Sequence, residues 1–311
     1  MPQAQAARVG IVVTDDYRPG DGDYDTGPLI EALSARGVPA EPVVWHRWPS
    51  RRDTRTFDLL VLRTPWDYAE KEREFRSWLR DAGTRTRVLN SPKLVTWNLD
   101  KAYLHQLEQR GIAQVPTTWV RTAEQLRDAL AQHGEGWVVI KPSVSAGAID
   151  TELLQADSER ALALGQRILD LSRTVMVQPE IPELSQGLEK ALYFIGGEHT
   201  HTIAKGALLE RGGGFIGGRY QENPQVEQAT AEEIAFGRRV IEACAEATGT
   251  ALPLYGRIDT VTSAEHGTVL LEAELFEPAL NLHRVPQAAD VLAAAIEERL
   301  NSAEELNGAP S

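Results

Sequence analysis

Near the C-terminus, from Tyr255 to Leu282, the chain reads YGRIDTV, then SAEHG, then TVLLEAELFEPALNL. Two short β-rich runs around a Gly-containing break predict a hairpin. Side chains alternate along a strand, so Arg257 and Asp259 share one face of the first strand, and Glu272 and Glu274 one face of the second. Three carboxylates and a guanidinium then converge, and Leu271, Ala273 and Leu275 are left for the core side. Carboxylates this close raise one another's pKa unless a cation sits among them. Mg²⁺ suits such a group, because it takes hard oxygen ligands and keeps positions open for phosphate oxygens. A solvated hairpin face would show the same spacing, so the metal reading needs support from the rest of the chain.

Other stretches carry chemistry of a matching kind. In GWVVIKPSVSAGAIDTELL an apolar strand ends at Lys141, ahead of the small residues Ser143 to Gly147. A buried ammonium is costly unless it meets an anion. A loop without bulky side chains can offer backbone N–H groups to phosphates, although Ser, Ala and Gly also fill ordinary turns. The run VMVQ breaks at Pro179, so Gln178 to Pro182 is predicted to leave backbone groups unpaired by the sheet, as an adenine edge requires. After FDLLVLR, the residues Arg63, Thr64, Trp66, Asp67 and Tyr68 stand where a strand gives way to a helix. That is a place for a small-molecule pocket, or for a structural corner in which the rings are core and Arg63 pairs with Asp67. His199 and His201 alternate on a predicted strand with no third ligand nearby, and read as strand surface rather than metal ligands.

The elements that must position these residues follow from periodicity and punctuation. Residues 8–14 form a buried parallel strand, followed by an Asp-rich loop and a helix from Pro28 to Arg36 stopped by Gly37. The strands EPVVWHR and FDLLVLR continue an α/β unit, whose ligand side lies beyond the C-terminal strand ends. Pro92 marks a joint, and Asn98 to Arg110 is predicted as one amphipathic helix ending at Gly111. VPTTWV opens a new lobe, with a helix capped by Thr122. Helices near Asp157–Leu171, Thr230–Thr248 and Ala288–Leu300 complete the chain. The expected division is an N-terminal α/β domain over 1–95, a central lobe over 96–178 with the small-residue loop, and a C-terminal lobe over 179–311 with the metal site.

Composition narrows the function. The 311 residues are 42% hydrophobic and 25% charged, as in a soluble globular protein. No apolar run approaches the roughly 20 residues that span a bilayer. The first residues lack the features of a secretion signal, and a lone Cys244 excludes an internal disulfide, so a cytoplasmic location is expected. A formal charge of -13 argues against nucleic-acid binding, yet a nucleotide needs only a few well-placed cations.

The order of these features resembles the ATP-grasp ligases over nearly the whole chain. The stretches WNLDK, VPTTWV, LRTPWDY and KP with its small-residue loop look most like the cycloserine synthetase (O-ureido-serine cyclo-ligase) branch. The resemblance implies an α/β ATP-grasp fold, two lobes clamping ATP, and a preceding α/β domain that completes the acceptor site. Lys101 and Lys141 look like the lysines that reach the phosphates, with Ser143, Ser145 and Gly147 in the loop over them. Gln178, Glu180 and Ile181 resemble the hinge that addresses adenine, and Glu189 the acidic residue near ribose or base. Lys205 is similar to a further phosphate or substrate contact, and Arg257 to the arginine aimed at the tetrahedral intermediate. Asp259, Glu272 and Glu274 resemble the ligands of two Mg²⁺, which Mn²⁺ could replace. Glu274 departs from the commoner Asn and adds one negative charge.

Implied partners are ATP and a small amino-acid-like substrate, and a homodimer is compatible with the family. Asp23 and Asp25 are expected to meet an ammonium, Arg63 a carboxylate and Trp66 the substrate's shape, with Thr64 and Asp67 beside them. The implied reaction makes an acyl phosphate that an amine captures, giving an amide or a cyclised amino-acid derivative. An intermolecular ligase of the glutathione synthetase type would share most of these residues, and so would a non-catalytic ATP-binding module.

Overall fold

The computed structural model describes residues 7–17, 22–50, 52–145, 149–216 and 224–302, and its strands fall into three sheets. The first is parallel, in the order β2-β1-β3-β4, from β1 (Val9–Val13), β2 (Ala40–Val44), β3 (Leu59–Thr64) and β4 (Arg87–Leu89). Its continuous apolar runs are buried on both sides, as parallel strands require. One side packs on α1 (Thr26–Ala35) and the other on α2 (Glu72–Arg85).

The chain then passes through α3 (Pro92–Asn98) and α4 (Tyr103–Glu108) to a second, antiparallel sheet in the order β5-β8-β6-β7. Its strands are β5 (Thr118–Val120), β6 (Trp137–Pro142), β7 (Glu152–Gln155) and β8 (Val175–Pro179). The helices α5 (Ala123–His133) and α6 (Glu159–Asp170) cover one face. Thr122 caps α5 as its sequence predicts, accepting from the Gln125 N–H at 3.2 Å. After the single-turn α7 (Pro182–Ser185) comes the third sheet, order β11-β10-β9-β12-β13. It comprises β9 (Lys190–Ile195), β10 (Glu198–Ala204), β11 (Gln225–Glu227), β12 (Tyr255–Ser263) and β13 (Gly267–Glu274). The long α8 (Ala231–Thr248), opened by a Thr230/Glu233 capping box, packs on one face. Part of the other face joins α9 (Gln287–Asn301) and the first sheet in one core, and the remainder faces a cleft. Among the described residues no helix is long and apolar enough to cross a membrane.

Several local expectations change. Pro92 starts a helix rather than a joint, with Ser91 as its cap, and the helix predicted from Asn98 to Arg110 is broken between Asn98 and Tyr103. The break exists because Lys101 turns inward: its N–H donates to the Ser143 carbonyl at 2.9 Å, and the Asp100 carboxylate takes the Ala102 N–H at 2.9 Å. A β-bulge between Asp259 and Thr260 shifts the hairpin register, so Leu270 takes the core position and Leu271 lines the cleft. His201 is not strand surface. It is buried, stacked on Tyr193 at 4.2 Å, and its Nε2–H donates to the Leu280 carbonyl at 2.9 Å. Burial pushes its pKa down to about 4, against the opposing pull of that carbonyl.

The edge strand β13 carries two of the hairpin carboxylates; the 113–115 backbone bridges its free edge at Leu270, and side chains stand in for a strand beyond that point. Asn98 donates to the Ala273 carbonyl at 2.8 Å and accepts from the Leu275 N–H at 3.0 Å. The Tyr103 hydroxyl takes the Ala273 N–H at 2.8 Å. Asn90 holds the other end, accepting from Leu254 and donating to the carbonyls of Tyr255 and Leu275.

Asn98→Ala would leave the buried Leu275 N–H without a partner and the Ala273 carbonyl with the Tyr103 hydroxyl alone, and should lower unfolding stability by about 1–3 kcal/mol in denaturant titrations. A loss under about 0.5 kcal/mol would show that Asn98 does not carry the edge. His201 is neutral in the fold, so its contribution is present above its ordinary pKa of 6.5 and is lost as pH falls toward 4. That contribution is about 3 kcal/mol. His201→Phe, which keeps the stack, should flatten the stability profile between those pH values, and an unchanged profile would refute the assignment.

Candidate active site

An open cleft with about 210 Å³ of room for water-sized molecules lies between the second and third sheets. Its charged wall is the hairpin, where the register sets Arg257 opposite Glu274 and Asp259 opposite Glu272. The four side chains do share one face, and the cations are already among the carboxylates. Arg257 grips Asp259 with Nε at 2.8 Å and Nη2 at 2.9 Å, and also reaches Glu274. The Lys205 ammonium sits 2.6 Å from Asp259 and 2.9 Å from Glu189, and Lys101 sits 2.9 Å from Glu272. Lys141 lines the same cleft and forms no ion pair among the described residues.

Too few cations serve too many carboxylates, and the groups divide accordingly. Burial works against ionised Asp259, but Arg257 and Lys205 overcome it and hold its carboxyl below the ordinary value. Glu274 shares the same guanidinium and loses the contest. Burial, together with Glu277, Asp259 and Glu272, holds its carboxyl well above the ordinary range despite Arg257. Burial likewise raises Glu277, and Glu272 adds to it. The Lys141 ammonium is pushed down, first by burial and then by Lys101 and Lys205, against Glu272 and Glu189.

The far end of the cleft is apolar, walled by Val115, Val139, Ile181, Leu184 and Leu271. Here the hinge expectation needs refinement. Gln178 lines the cleft, but its amide is committed to the Thr117 hydroxyl at 2.8 Å. The Glu180 N–H is bonded to the Trp137 carbonyl at 2.9 Å, and its carboxylate is clamped by Arg211 at 2.7 and 2.9 Å. The Glu180 carbonyl and the Ile181 N–H have no partner among the described residues, so this one acceptor and one donor remain for a planar base edge. The phosphate loop is narrower than expected too. Ser143 is buried, its N–H bonded to the Thr174 carbonyl, so it is not offered to a ligand. Ser145 lines the cleft with its carbonyl accepting from Lys101 at 3.2 Å, and Gly147 lies outside the described residues.

The expected acceptor residues of the N-terminal domain are the clearest correction. Asp25 is buried, and its carboxylate takes the N–H groups of Leu280 and Leu282. Arg63 is fully buried, donates to the Pro278 carbonyl at 2.6 Å, and lies over the Tyr255 ring. Asp67 accepts from Trp45 at 2.7 Å and from Lys71 at 2.9 Å. Asp23 closes its own loop on Thr26 and takes the Thr64 hydroxyl at 2.9 Å. All five lie off the cleft wall. Trp66 is half-buried, and its indole donates to the Glu277 carbonyl at 2.8 Å. Glu277 itself lines the cleft, a site residue that strand spacing alone could not find because it lies beyond the end of β13.

The donor set of Asp259, Glu272 and Glu274 fits a divalent cation, because its oxygens are hard ligands gathered on one strand face. Among the described residues no three His, Cys, Asp or Glu side chains are yet gathered closely enough to hold one, because Arg257, Lys205 and Lys101 take the oxygens.

The cycloserine biosynthesis protein DcsG of Streptomyces lavendulae is 33% identical over 285 residues, 89% of this chain and 94% of its own length. The chain belongs to the ATP-grasp ligases. The crystal structure of D-cycloserine synthetase DcsG superposes on this ligase with a TM-score of 0.86 and 30% identity, covering 95% of this chain and all of the other. The family model for the DcsG N-terminal domain matches residues 9–90. D-alanine–D-alanine ligase from Bacillus anthracis shares the fold, with a TM-score of 0.64 at 15% identity over 95% of this chain and 97% of its own. Glutathione synthetase of Ralstonia nicotianae is 28% identical over 173 residues, 51% of this chain and 50% of its own length.

Lysines with and without partners should separate in experiment. Lys141→Met removes an uncompensated ammonium, so the nucleotide-free protein should be at least as stable as wild type, while ATP binds at least about 10-fold more weakly. Lys205→Met leaves Asp259 and Glu189 short of a cation and should cost about 3 kcal/mol of stability. Thermal unfolding with and without Mg·ATP reads both, and equal destabilisation by the two variants would overturn the distinction.

Proposed function

We propose that this ligase activates the carboxylate of a small amino acid with ATP and closes it on an amine of the same molecule, giving a cyclised derivative of the cycloserine kind. The observation that carries the reading is the reach of the DcsG likeness. It extends through residues 9–90, outside the nucleotide-binding sheets, whereas the glutathione synthetase likeness spans half the chain. The N-terminal domain touches the loop that bears Glu277, at the acceptor end of the cleft.

In the proposed reaction a carboxylate oxygen of the substrate attacks the γ-phosphorus of ATP, the bond to ADP breaks, and an acyl phosphate forms. A side-chain nitrogen of the same molecule, not its α-ammonium, then attacks the acyl carbon, the acyl–phosphate bond breaks and phosphate leaves, and the proton of that nitrogen passes to solvent. Adenine takes the Ile181 N–H and the Glu180 carbonyl within the apolar end. Lys101, Lys141 and Lys205 neutralise the phosphates. Arg257 meets the oxyanion of the tetrahedral intermediate, an interaction of a few kcal/mol in enzymes of this general kind. Asp259, Glu272 and Glu274 would hold two Mg²⁺, or Mn²⁺ in their place, supplying neutralisation of the charge spread over the transferring phosphoryl group.

The test is ADP release in the presence of O-ureidoserine, both enantiomers, and of amino-acid pairs. ADP should appear with O-ureidoserine alone, and Asp259→Asn should lower turnover by at least about 100-fold with the fold intact. ADP that requires two amino acids would identify an intermolecular ligase. Mg·ATP binding without ADP from any substrate would leave only a nucleotide-binding module.

A further inference from the structure

Each other acidic side chain in the cleft has a cationic partner. Glu189 and Asp259 share Lys205, Asp259 and Glu274 share Arg257, Glu272 has Lys101 and Glu180 has Arg211. Glu277 has none among the described residues. Its Oε1 accepts from the Tyr68 hydroxyl at 2.8 Å, which leaves Oε2 without a bond. The backbone around the residue is held at three successive carbonyls. Trp66 donates to its own carbonyl at 2.8 Å, Arg63 donates to the next carbonyl at 2.6 Å, and Tyr255 donates to the preceding one at 2.8 Å. A half-buried carboxylate with one free oxygen, in the cleft wall with Glu272 and Glu274 and in no ion pair among the described residues, is a receptor for a cation supplied by the ligand, with Arg257 and Lys101 acting on it only from a distance.

We infer that Glu277 recognises the ammonium group of the amino-acid substrate. The inference rests on the ligase reading of the cleft and names the residue that gives that reaction its preference for amino acids. A compact ammonium matches a carboxylate with one oxygen already engaged, whereas a guanidinium would need both. It also explains how the N-terminal domain acts on the acceptor without lining the cleft: Tyr68 and Trp66 hold Glu277 in place.

The test uses the full chain with Mg·AMPPNP. Calorimetric titration compares D- and L-O-ureidoserine with the counterparts in which hydrogen replaces the α-amino group. Wild type should bind one amino enantiomer at least about 10-fold more tightly than its deamino counterpart. Glu277→Gln should bind the two equally, with unchanged AMPPNP affinity and Mg²⁺ requirement. The inference is overturned if wild type shows no preference for the amino form, or if Glu277→Gln retains that preference. A raised Mg²⁺ requirement in Glu277→Gln would also overturn it, by marking Glu277 as a metal group. Should Glu277→Gln fail to fold, Glu277→Asp replaces it: weakened preference supports the inference and full preference refutes it. ADP release measured in parallel keeps the two readings apart. Discrimination through Glu277 without ADP would sink the ligase reaction and leave the ammonium site standing.

Discussion

A single guanidinium shared by two buried carboxylates is the constraint on which the cleft depends. Arg257 can fully compensate only one of them, and Asp259, with Lys205 as a second cation, takes it. Burial and its acidic neighbours hold the Glu274 carboxyl well above its ordinary range, and among the described residues neither Glu277 nor Lys141 forms an ion pair. Buried ion pairs stabilise a fold weakly, since desolvation offsets most of the attraction. A cluster so unevenly matched is better understood as a site awaiting charges of both signs. Polyphosphate oxygens would draw the lysines, and the carboxylates so released would suit divalent cations.

The fold keeps these charges apart until then by fixing the strands that carry them. An edge strand normally presents unpaired N–H and C=O groups; on β13 those of Leu270 pair with the backbone of Ala113 and Val115, and those of Ala273 are taken by Asn98 and Tyr103. The clamp fixes Glu272 and Glu274 with side chains from the linker helices, so no further strand is needed. The same linker carries the break at Lys101, which couples the phosphate loop to the hairpin through Ser143 and Glu272.

The N-terminal domain acts at one remove. Arg63, Asp25, Trp66 and Tyr68 bind the loop from Phe276 to Leu282, mostly through its backbone. These polar and aromatic residues form a bracket for the segment that follows β13. For Asp25 and Trp66 the cost of burial is met by N–H and carbonyl groups that this segment would otherwise leave unsatisfied, whereas Arg63 keeps Nε and Nη1 without a hydrogen-bond partner among the described residues.

What the sequence alone determined is what depends on local geometry. A period of two placed Arg257, Asp259, Glu272 and Glu274 on one face, Pro179 marked the end of β8, and Thr122 and Gly37 marked helix ends, because each follows from backbone sterics and near neighbours. Short motifs carried the family. Only the tertiary structure decided which of those residues line the cleft. A single bulge exchanged Leu271 for Leu270, the inward turn of Lys101 broke a helix whose pattern was continuous, and Arg63, Asp25 and Asp67 proved to face protein rather than cleft. The partners that settle these matters, Ser143 for Lys101, Leu280 for Asp25 and Pro278 for Arg63, are tens to hundreds of residues away along the chain. Spacing reports which side of an element a residue occupies, and long-range packing decides what lies on that side.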